Sequence, residues 1–246
     1  QTIVGWSEPS HRVHARTDGR YVLVAVGTEE GLGALLLYDT HTGSEKTIAS
    51  GAITDDWRYL DDRRLADGAV VWSASDGHDE EIFLYVIASG KTTQLTHTET
   101  SDTEPEVGRG YVLWARSESL QAPGTESGIA RDVILYERSS GRERFLGRGF
   151  GRLAEDGSLA LWSEWPQKAE NLWFYDIERD QAAYLGTPGS GASWPDTVDR
   201  FVIWYSERLG AKEPTAEIMV ATVALPSGTT TVSRETTIRT PRIKAS

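Results

Sequence analysis

Three tryptophans lie in polar segments of the chain, outside the apolar runs that predict strands: ITDDWRYL, SEWPQKAEN and GASWPDTV. An exposed tryptophan can stack on a sugar ring or anchor a protein partner, because aromatic rings contribute much of the binding energy at interfaces. The alternative is that these rings cover loop backbone or plug a channel entrance. With nearby aromatic and acidic residues they define our candidate ligand-binding set. Its members are Trp57, Glu104, Phe150, Trp165, Trp194 and Asp196.

Carboxylates are frequent in the same segments. Those considered for catalysis are Asp55, Asp56, Asp102, Glu104 and Asp196. A pair of carboxylates about 5 to 10 Å apart can hydrolyse a glycosidic bond. However, these residues match no glycosidase pattern, and an acidic chain supplies carboxylates everywhere. We therefore assign no catalytic residue and keep a glycoside hydrolase or lyase as the alternative function.

The loop SDGHDEE (75–81) contains oxygen donors of the kind that calcium prefers, on Asp76, Asp79 and Glu80. It lacks the spacing of an EF-hand loop, and Asp-Gly is also an ordinary turn signal. We expect a solvated turn here and no metal site.

The composition excludes several classes of function. The 246 residues include no cysteine, which rules out disulfides and thiolate metal sites. The net charge of -12 argues against a nucleic-acid partner, because phosphate binding depends on clustered Lys and Arg. A mean hydropathy of -0.40, with no apolar run of about 20 residues, argues against membrane insertion. No Ser-His-Asp arrangement, nucleophile elbow or glycine-rich phosphate loop is recognisable, so we expect no cofactor.

The elements that must position these residues come from one pattern that occurs five times. Each copy has a polar pair, an apolar strand often ending in Trp, a second apolar strand ending near Tyr, a turn and a third strand. The second copy reads Asp67-Gly68, AVVW, EIFLY, Ser89-Gly90 and KTTQLT. A short fourth strand leads into the next copy. The repeat units span residues 11–50, 57–96, 104–147, 151–186 and 194–233.

Four strands repeated at intervals of roughly 40–50 residues predict an all-β fold. We expect a single domain over residues 1–246, a five-bladed β-propeller of four-stranded antiparallel blades. One sheet cannot bury both of its faces, whereas five sheets around an axis can. The recurring tryptophans should then form the core between blades: Trp72, Trp114, Trp162 and Trp204.

The two ends of the chain each carry an unmatched strand pattern, TIVGW and RTPRIKAS. We expect residues 1–7 and 238–246 to meet and close the ring. A six-bladed ring with one incomplete blade is the alternative.

The segment AVVWSASDGHDEEIFLYVIASGKTTQLT, followed by TEPEVGRGYVLW, resembles the TolB-type, WD40-like propeller repeats of bacterial envelope and secreted proteins. The match to the core EIxLYxxxxGKxxxLT is good in the second copy. It is weakest in the fourth and fifth, where Asp180 replaces the turn glycine and Ala221 the tyrosine. The resemblance implies a binding platform or a domain attached to an enzyme, in a secreted or periplasmic location.

In such a ring, the loop from the outermost strand to the next blade and the loop between the second and third strands share one face. This loop face collects the candidate residues and the irregular loops 117–130, 163–170 and 206–216. We therefore expect a non-catalytic recognition or scaffold module that binds a protein partner or a cell-surface glycan there. Because the loops differ between copies, one composite site or a protein partner is favoured over five equivalent sugar sites.

Overall fold

The computed structural model describes residues 12–28, 31–53, 64–117, 131–164, 171–185, 190–198, 200–208, 216–224 and 231–238. Every regular element in these ranges is a β-strand. None of the described residues forms a helix of the length and hydrophobicity needed to cross a membrane. The chain divides into two compact units. The first comprises Gln1–Val107 and Arg116–Ser119, and the second comprises Gly108–Ala115 and Leu120–Ser246.

The first two repeats form one antiparallel sheet in the first unit. Its strands are β1 (Arg12–Thr17), β2 (Tyr21–Thr28), β3 (Gly31–Asp39), β4 (Glu45–Ile53), β5 (Leu65–Ala66), β6 (Ala69–Ser75), β7 (Glu80–Val86) and β8 (Lys91–Gln94). Strands β1 to β4 follow one another in space as they do along the chain, and so do β5 to β8. A single residue pair, Ile53 with Ala74, joins the two groups. The eight strands are therefore two four-stranded meanders, one for each repeat.

The other three repeats each form a separate four-stranded antiparallel sheet. The third sheet contains β9 (Asp102–Gly108), β10 (Tyr111–Ser117), β11 (Arg131–Glu137) and β12 (Arg142–Arg148). The fourth contains β13 (Phe150–Leu153), β14 (Leu159–Ser163), β15 (Leu172–Asp176) and β16 (Gln181–Tyr184). The fifth contains β17 (Ser190–Val198), β18 (Phe201–Arg208), β19 (Ala216–Ala224) and β20 (Thr231–Ile238). In all three sheets the strands lie in chain order, as the repeat predicts.

The recurring tryptophans are core residues, as their place in the repeated apolar strands predicts. Trp72, Trp114, Trp162 and Trp204 are all buried. Aromatic pairs recur at the same register: Trp72 stacks on Phe83 across β6 and β7, and Trp162 stacks on Trp173 across β14 and β15. The ring centroids are 5.8 and 6.0 Å apart. Each unit has apolar clusters of its own built around these residues.

In the first four meanders, the turn after the third strand has a left-handed backbone. Gly43, Gly90 and Gly141 have φ values of 72°, 64° and 74° there. Asp180, which replaces the glycine in the fourth repeat, has a φ of 53°. The energetic cost of this left-handed backbone for Asp180 is offset by a hydrogen bond that glycine cannot make. The Tyr175 hydroxyl donates to Asp180 Oδ1 at 2.6 Å. The fourth repeat therefore keeps the turn geometry despite the changed residue.

The last strand of the fifth repeat extends further than the sequence pattern predicts. The sequence places its last strand at TTTVS, but β20 continues to Ile238, because its pairing with β19 resumes beyond an irregularity opposite Ala221. Ring closure was expected from residues 1–7 and 238–246. Apart from Ile238 at the end of β20, these residues lie outside the described ones, so closure and the number of blades stay predictions.

Candidate ligand-binding site

Three of the six candidate ligand-binding residues have described side chains. These are Glu104 in the first unit and Phe150 and Asp196 in the second. Trp57 and Trp165 lie outside the described residues. Trp194 lies in β17, at the register shift between Ser193 and Asp196.

Phe150 is the first residue of β13 and is held in place by pairing with Ser163 of β14. Its ring is half exposed, with a relative accessibility of 49%. The guanidinium of Arg131, the first residue of β11, lies over the ring at 6.0 Å from its centroid. This distance is at the outer limit for a cation–π contact. An aromatic ring and an arginine are thus presented together at the surface of the second unit.

The backbone around Phe150 is held by contacts with two neighbouring connections. The Gly149 amide donates to the Arg131 carbonyl at 2.8 Å. Gly149 has a φ of 140°, and a Cβ added there would lie 1.7 Å from the carbonyl oxygen of Ser163. The link between β12 and β13 therefore lies beside the start of β11 and the end of β14. Segments 118–130 and 165–170, which belong to the predicted loop face, join the strands at these two ends.

An ion pair completes this surface. Arg148 Nε donates to Asp132 Oδ1 at 3.1 Å, which ties the end of β12 to the start of β11. We call Phe150, Arg131, Asp132 and Arg148 the Phe150 patch. Sequence reasoning found only Phe150, because the other three belong to strand ends whose proximity depends on the pairing of β11 with β12.

The two acidic candidates occupy other positions. Asp196 is exposed and lies two residues before the end of β17, near the turn into β18, where its Oδ1 accepts from the Thr197 amide at 2.8 Å. Phe150, in contrast, lies at the end of β13 remote from the β13–β14 turn. Glu104 is exposed in β9 and has a φ of 54°, which is rare for a residue within a strand.

Asp102 is unsuited to the catalytic role considered for it. Its side chain is fully buried, and Arg116 binds both carboxylate oxygens, at 2.8 and 3.1 Å. A carboxylate held in this way has a structural role. Asp55 and Asp56 lie outside the described residues.

The acidic loop before β7, expected to be a solvated turn, brings three carboxylates together. They belong to Asp76, Asp79 and Glu81, whereas the set considered for calcium contained Glu80 in place of Glu81. Glu80 and Glu81 are neighbours in β7 and point to opposite faces of the sheet, and only Glu81 is fully buried.

A small cleft in the second unit is lined by side chains that pair with one another. Its volume is about 60 Å³, and it is lined by residues that include Tyr111, Arg144, Tyr175 and Asp180. Arg144 pairs with Asp180 at 2.9 Å and lies over the Tyr175 ring. Ligand pockets are usually several hundred Å³, so this cleft is too small for a substrate. In the first unit Lys46 contacts Tyr85 in the same way, which marks the contact as part of the repeat.

No family model and no curated protein match the chain. Among solved structures, puromycin hydrolase matches 93% of the chain and 41% of its own length, with 14% identity and a TM-score of 0.55. An oligogalacturonate lyase in complex with manganese matches 88% of the chain and 66% of its own length, with 11% identity and a TM-score of 0.54. TolB from Acinetobacter baumannii matches 83% of the chain and 49% of its own length, with 16% identity and a TM-score of 0.48.

The chain thus spans less than two thirds of each of these proteins. Identities this low carry information on the fold alone. Together with the succession of four-stranded antiparallel meanders, the matches to puromycin hydrolase and the lyase assign the chain a β-propeller fold. A hydrolase and a lyase share this fold, so the fold by itself does not select a function.

Proposed function

We propose that this chain is a non-catalytic recognition module that binds a protein partner through the Phe150 patch. The observation that carries the proposal is the half-exposed ring of Phe150 with the Arg131 guanidinium lying over it. Aromatic residues and arginine are enriched at the centres of protein interfaces, where they supply large contact area and hydrogen-bond donors.

The patch is also ordered before any partner arrives. Phe150 and Arg131 are strand residues, the Gly149–Arg131 hydrogen bond fixes their separation, and the Arg148–Asp132 pair holds the flanking strand ends. Association loses less free energy to side-chain ordering when the binding residues are already in place. This supports a role in recognition without a large conformational change.

Two features favour a protein over a glycan as the ligand. Arg131 covers part of the ring that a sugar would need for stacking. The patch also combines an aromatic ring with the Arg148–Asp132 ion pair, and protein interfaces commonly contain both kinds of group. The resemblance to envelope and secreted proteins makes the cell envelope the place to look for the partner.

The test compares matched variants of the full chain in affinity capture from a bacterial envelope extract. Phe150→Ala removes the ring from the patch. Phe145→Ala is the control, because Phe145 has a similar exposure of 56% and lies in β12 outside the patch. We expect one captured protein to be lost with Phe150→Ala and with Arg131→Ala, and retained with Phe145→Ala. Purified partner should then bind the Phe150→Ala variant at least tenfold more weakly.

Equal capture by all variants would refute the role of the patch. The same variants are also tested on a glycan array. Binding to a glycan that is lost with Phe150→Ala would show that the ligand is a glycan. For the enzymatic alternative, the chain is assayed on oligogalacturonides and other polysaccharides with Glu104→Gln and Asp196→Asn as controls. If the unmodified chain cleaves one of these substrates and the two substitutions abolish that activity, the protein is an enzyme and the proposed recognition function is wrong.

A further inference from the structure

A second site lies in the first unit, where the turn between β6 and β7 meets the start of β7. Asp76, Asp79 and Glu81 each place a carboxylate oxygen within 4.8 Å of the other two. The three differ in accessibility: Asp76 is exposed, Asp79 is partly buried and Glu81 is fully buried. The group therefore extends from the surface into the protein.

Two of its oxygen atoms have no hydrogen-bond partner. Glu81 Oε1 accepts from the Thr98 amide at 2.8 Å. Glu81 Oε2 and Asp79 Oδ1 are both buried, and neither has a partner anywhere in the described part of the chain. Buried polar atoms in folded proteins are nearly always satisfied, and an unsatisfied buried carboxylate oxygen is among the most costly exceptions. A cation bound between Glu81 and Asp79 would satisfy both atoms at once.

Two other carboxylates, those of Asp79 and Asp102, place negative charge near Glu81. Asp102 is already neutralised by Arg116. A cation beside Glu81 and Asp79 would offset the remaining charge.

The loop holds its outer carboxylate in place. Asp76 Oδ1 accepts from the His78 amide at 2.9 Å and from the Asp79 amide at 3.5 Å, and the Asp76 amide donates to the Asp79 carbonyl at 3.2 Å. Asp76 and Asp79 are thus fixed at the two ends of one turn. Because Asp76 is exposed, an ion can enter from solvent and keep water as its remaining ligands.

We propose that Asp76, Asp79 and Glu81 bind a calcium ion. All three donors are carboxylate oxygens, which hard cations prefer. Opposite oxygen ligands of one calcium ion are about 4.6 to 5.2 Å apart, so the observed limit of 4.8 Å lies within its coordination sphere. Calcium tolerates irregular geometry and a mixture of protein and water ligands better than magnesium does. The proposal is independent of the function proposed for the Phe150 patch.

The test is calcium chloride titration of the chelator-treated full chain by calorimetry, together with thermal unfolding with and without calcium. We expect one site with a dissociation constant at or below about 1 mM, in the range of extracellular calcium modules. Glu81→Gln should weaken binding at least tenfold. Glu80→Gln is the matched control and should bind as the unmodified chain does, because Glu80 lies outside the cluster.

Thermal unfolding separates a cation site from a purely structural glutamate. In chelator, Glu81→Gln should unfold at a higher temperature than the unmodified chain, because it removes a buried unpaired charge. In saturating calcium the order should reverse, because only the unmodified chain is stabilised by the ion. Failure of calcium to bind or to raise the unfolding temperature would overturn the proposal. Tighter binding of magnesium than of calcium would also overturn it.

Discussion

Arg116 binds Asp102 through two hydrogen bonds, from Nε to Oδ1 at 2.8 Å and from Nη2 to Oδ2 at 3.1 Å. Asp102 begins β9 and is fully buried, while Arg116 lies near the end of β10 and is partly exposed. The bidentate geometry fixes both side chains and compensates the buried negative charge. Asp102, which sequence analysis lists among the possible catalytic carboxylates, therefore has a structural role.

Asp102→Ala should be strongly destabilising. The substitution removes the buried acceptor and leaves Arg116 without its bidentate partner, for which losses of about 3 to 5 kcal/mol are typical. Chemical denaturation gives the free energy of unfolding. The control is Arg20→Ala, which breaks the Arg20–Asp39 pair at its exposed member and should cost much less. Equal effects of the two substitutions would contradict the structural role of Asp102.

Gly149→Ala should destabilise the second unit and displace the Phe150 patch. A Cβ at this position would overlap the Ser163 carbonyl oxygen, and the φ of 140° already excludes most side chains. We expect the free energy of unfolding to fall by more than about 2 kcal/mol, because the backbone at Gly149 and at Ser163 must move to make room for the Cβ. Gly19→Ala is the control, since Gly19 has a φ of 99° but open space around its Cβ. It should show only the smaller backbone cost, about 1 kcal/mol. Denaturant unfolding of both variants measures the difference.

Asp176 should make the stability of the chain sensitive to acid. Burial raises the pKa of Asp176, but hydrogen bonds from Arg200 and Arg179 outweigh burial and lower the pKa below its usual value of 3.8. A group whose pKa is lower in the folded state stabilises above the unfolded pKa, and this stabilisation is lost as the pH falls below it. Asp176→Asn should therefore cost about 1 to 3 kcal/mol at neutral pH.

The measurement for Asp176 is thermal unfolding of both proteins from neutral pH down to pH values below 3.8. The gap between them should shrink as the pH falls. Glu178→Gln is the matched control, because Glu178 also contacts Arg200 but is exposed. A difference in unfolding temperature that stays constant across the pH series would show that the charge of Asp176 does not contribute to stability.

Tyr175 should ionise only at very high pH. Burial and the hydrogen bond to Asp180 raise its pKa from 10.0 to about 12. Since the folded pKa is raised, the stabilisation is complete below pH 10 and is lost as the pH rises towards 12. Tyr175→Phe should cost about 1 kcal/mol below pH 10, and this cost should decrease progressively as the pH rises from 10 to about 12. It should also remove one phenolate absorbance step near pH 12. Tyr85→Phe, at the equivalent position of the second repeat, should leave that step intact.

The fold was predictable to a large extent because its signals are local. Short runs rich in Val, Ile, Leu, Trp and Tyr mark the strands, and the Asp-Gly and Ser-Gly pairs mark the turns. The meander order follows from the short connections between consecutive strands. Even the altered turn at Asp180 keeps its geometry, because aspartate tolerates the left-handed backbone that glycine otherwise supplies.

The sites were predictable only in part. Phe150 was identified from its position at the start of a strand, but its partner Arg131 is distant in sequence and reaches it through the pairing of β11 with β12. The signal for Glu81 was present in the spacing of EIFLY, which puts it on the same face as Phe83 and Tyr85.

The sequence by itself determined the repeating unit, the burial of its tryptophans and the all-β class, because periodicity and turn chemistry act over a few residues. The tertiary structure decided which polar groups meet. It buried Asp102 against Arg116, placed Arg131 over Phe150, and brought Glu81 to Asp76 and Asp79 in place of Glu80. These contacts depend on strand register, and a shift of one residue would turn each side chain to the opposite face of its sheet.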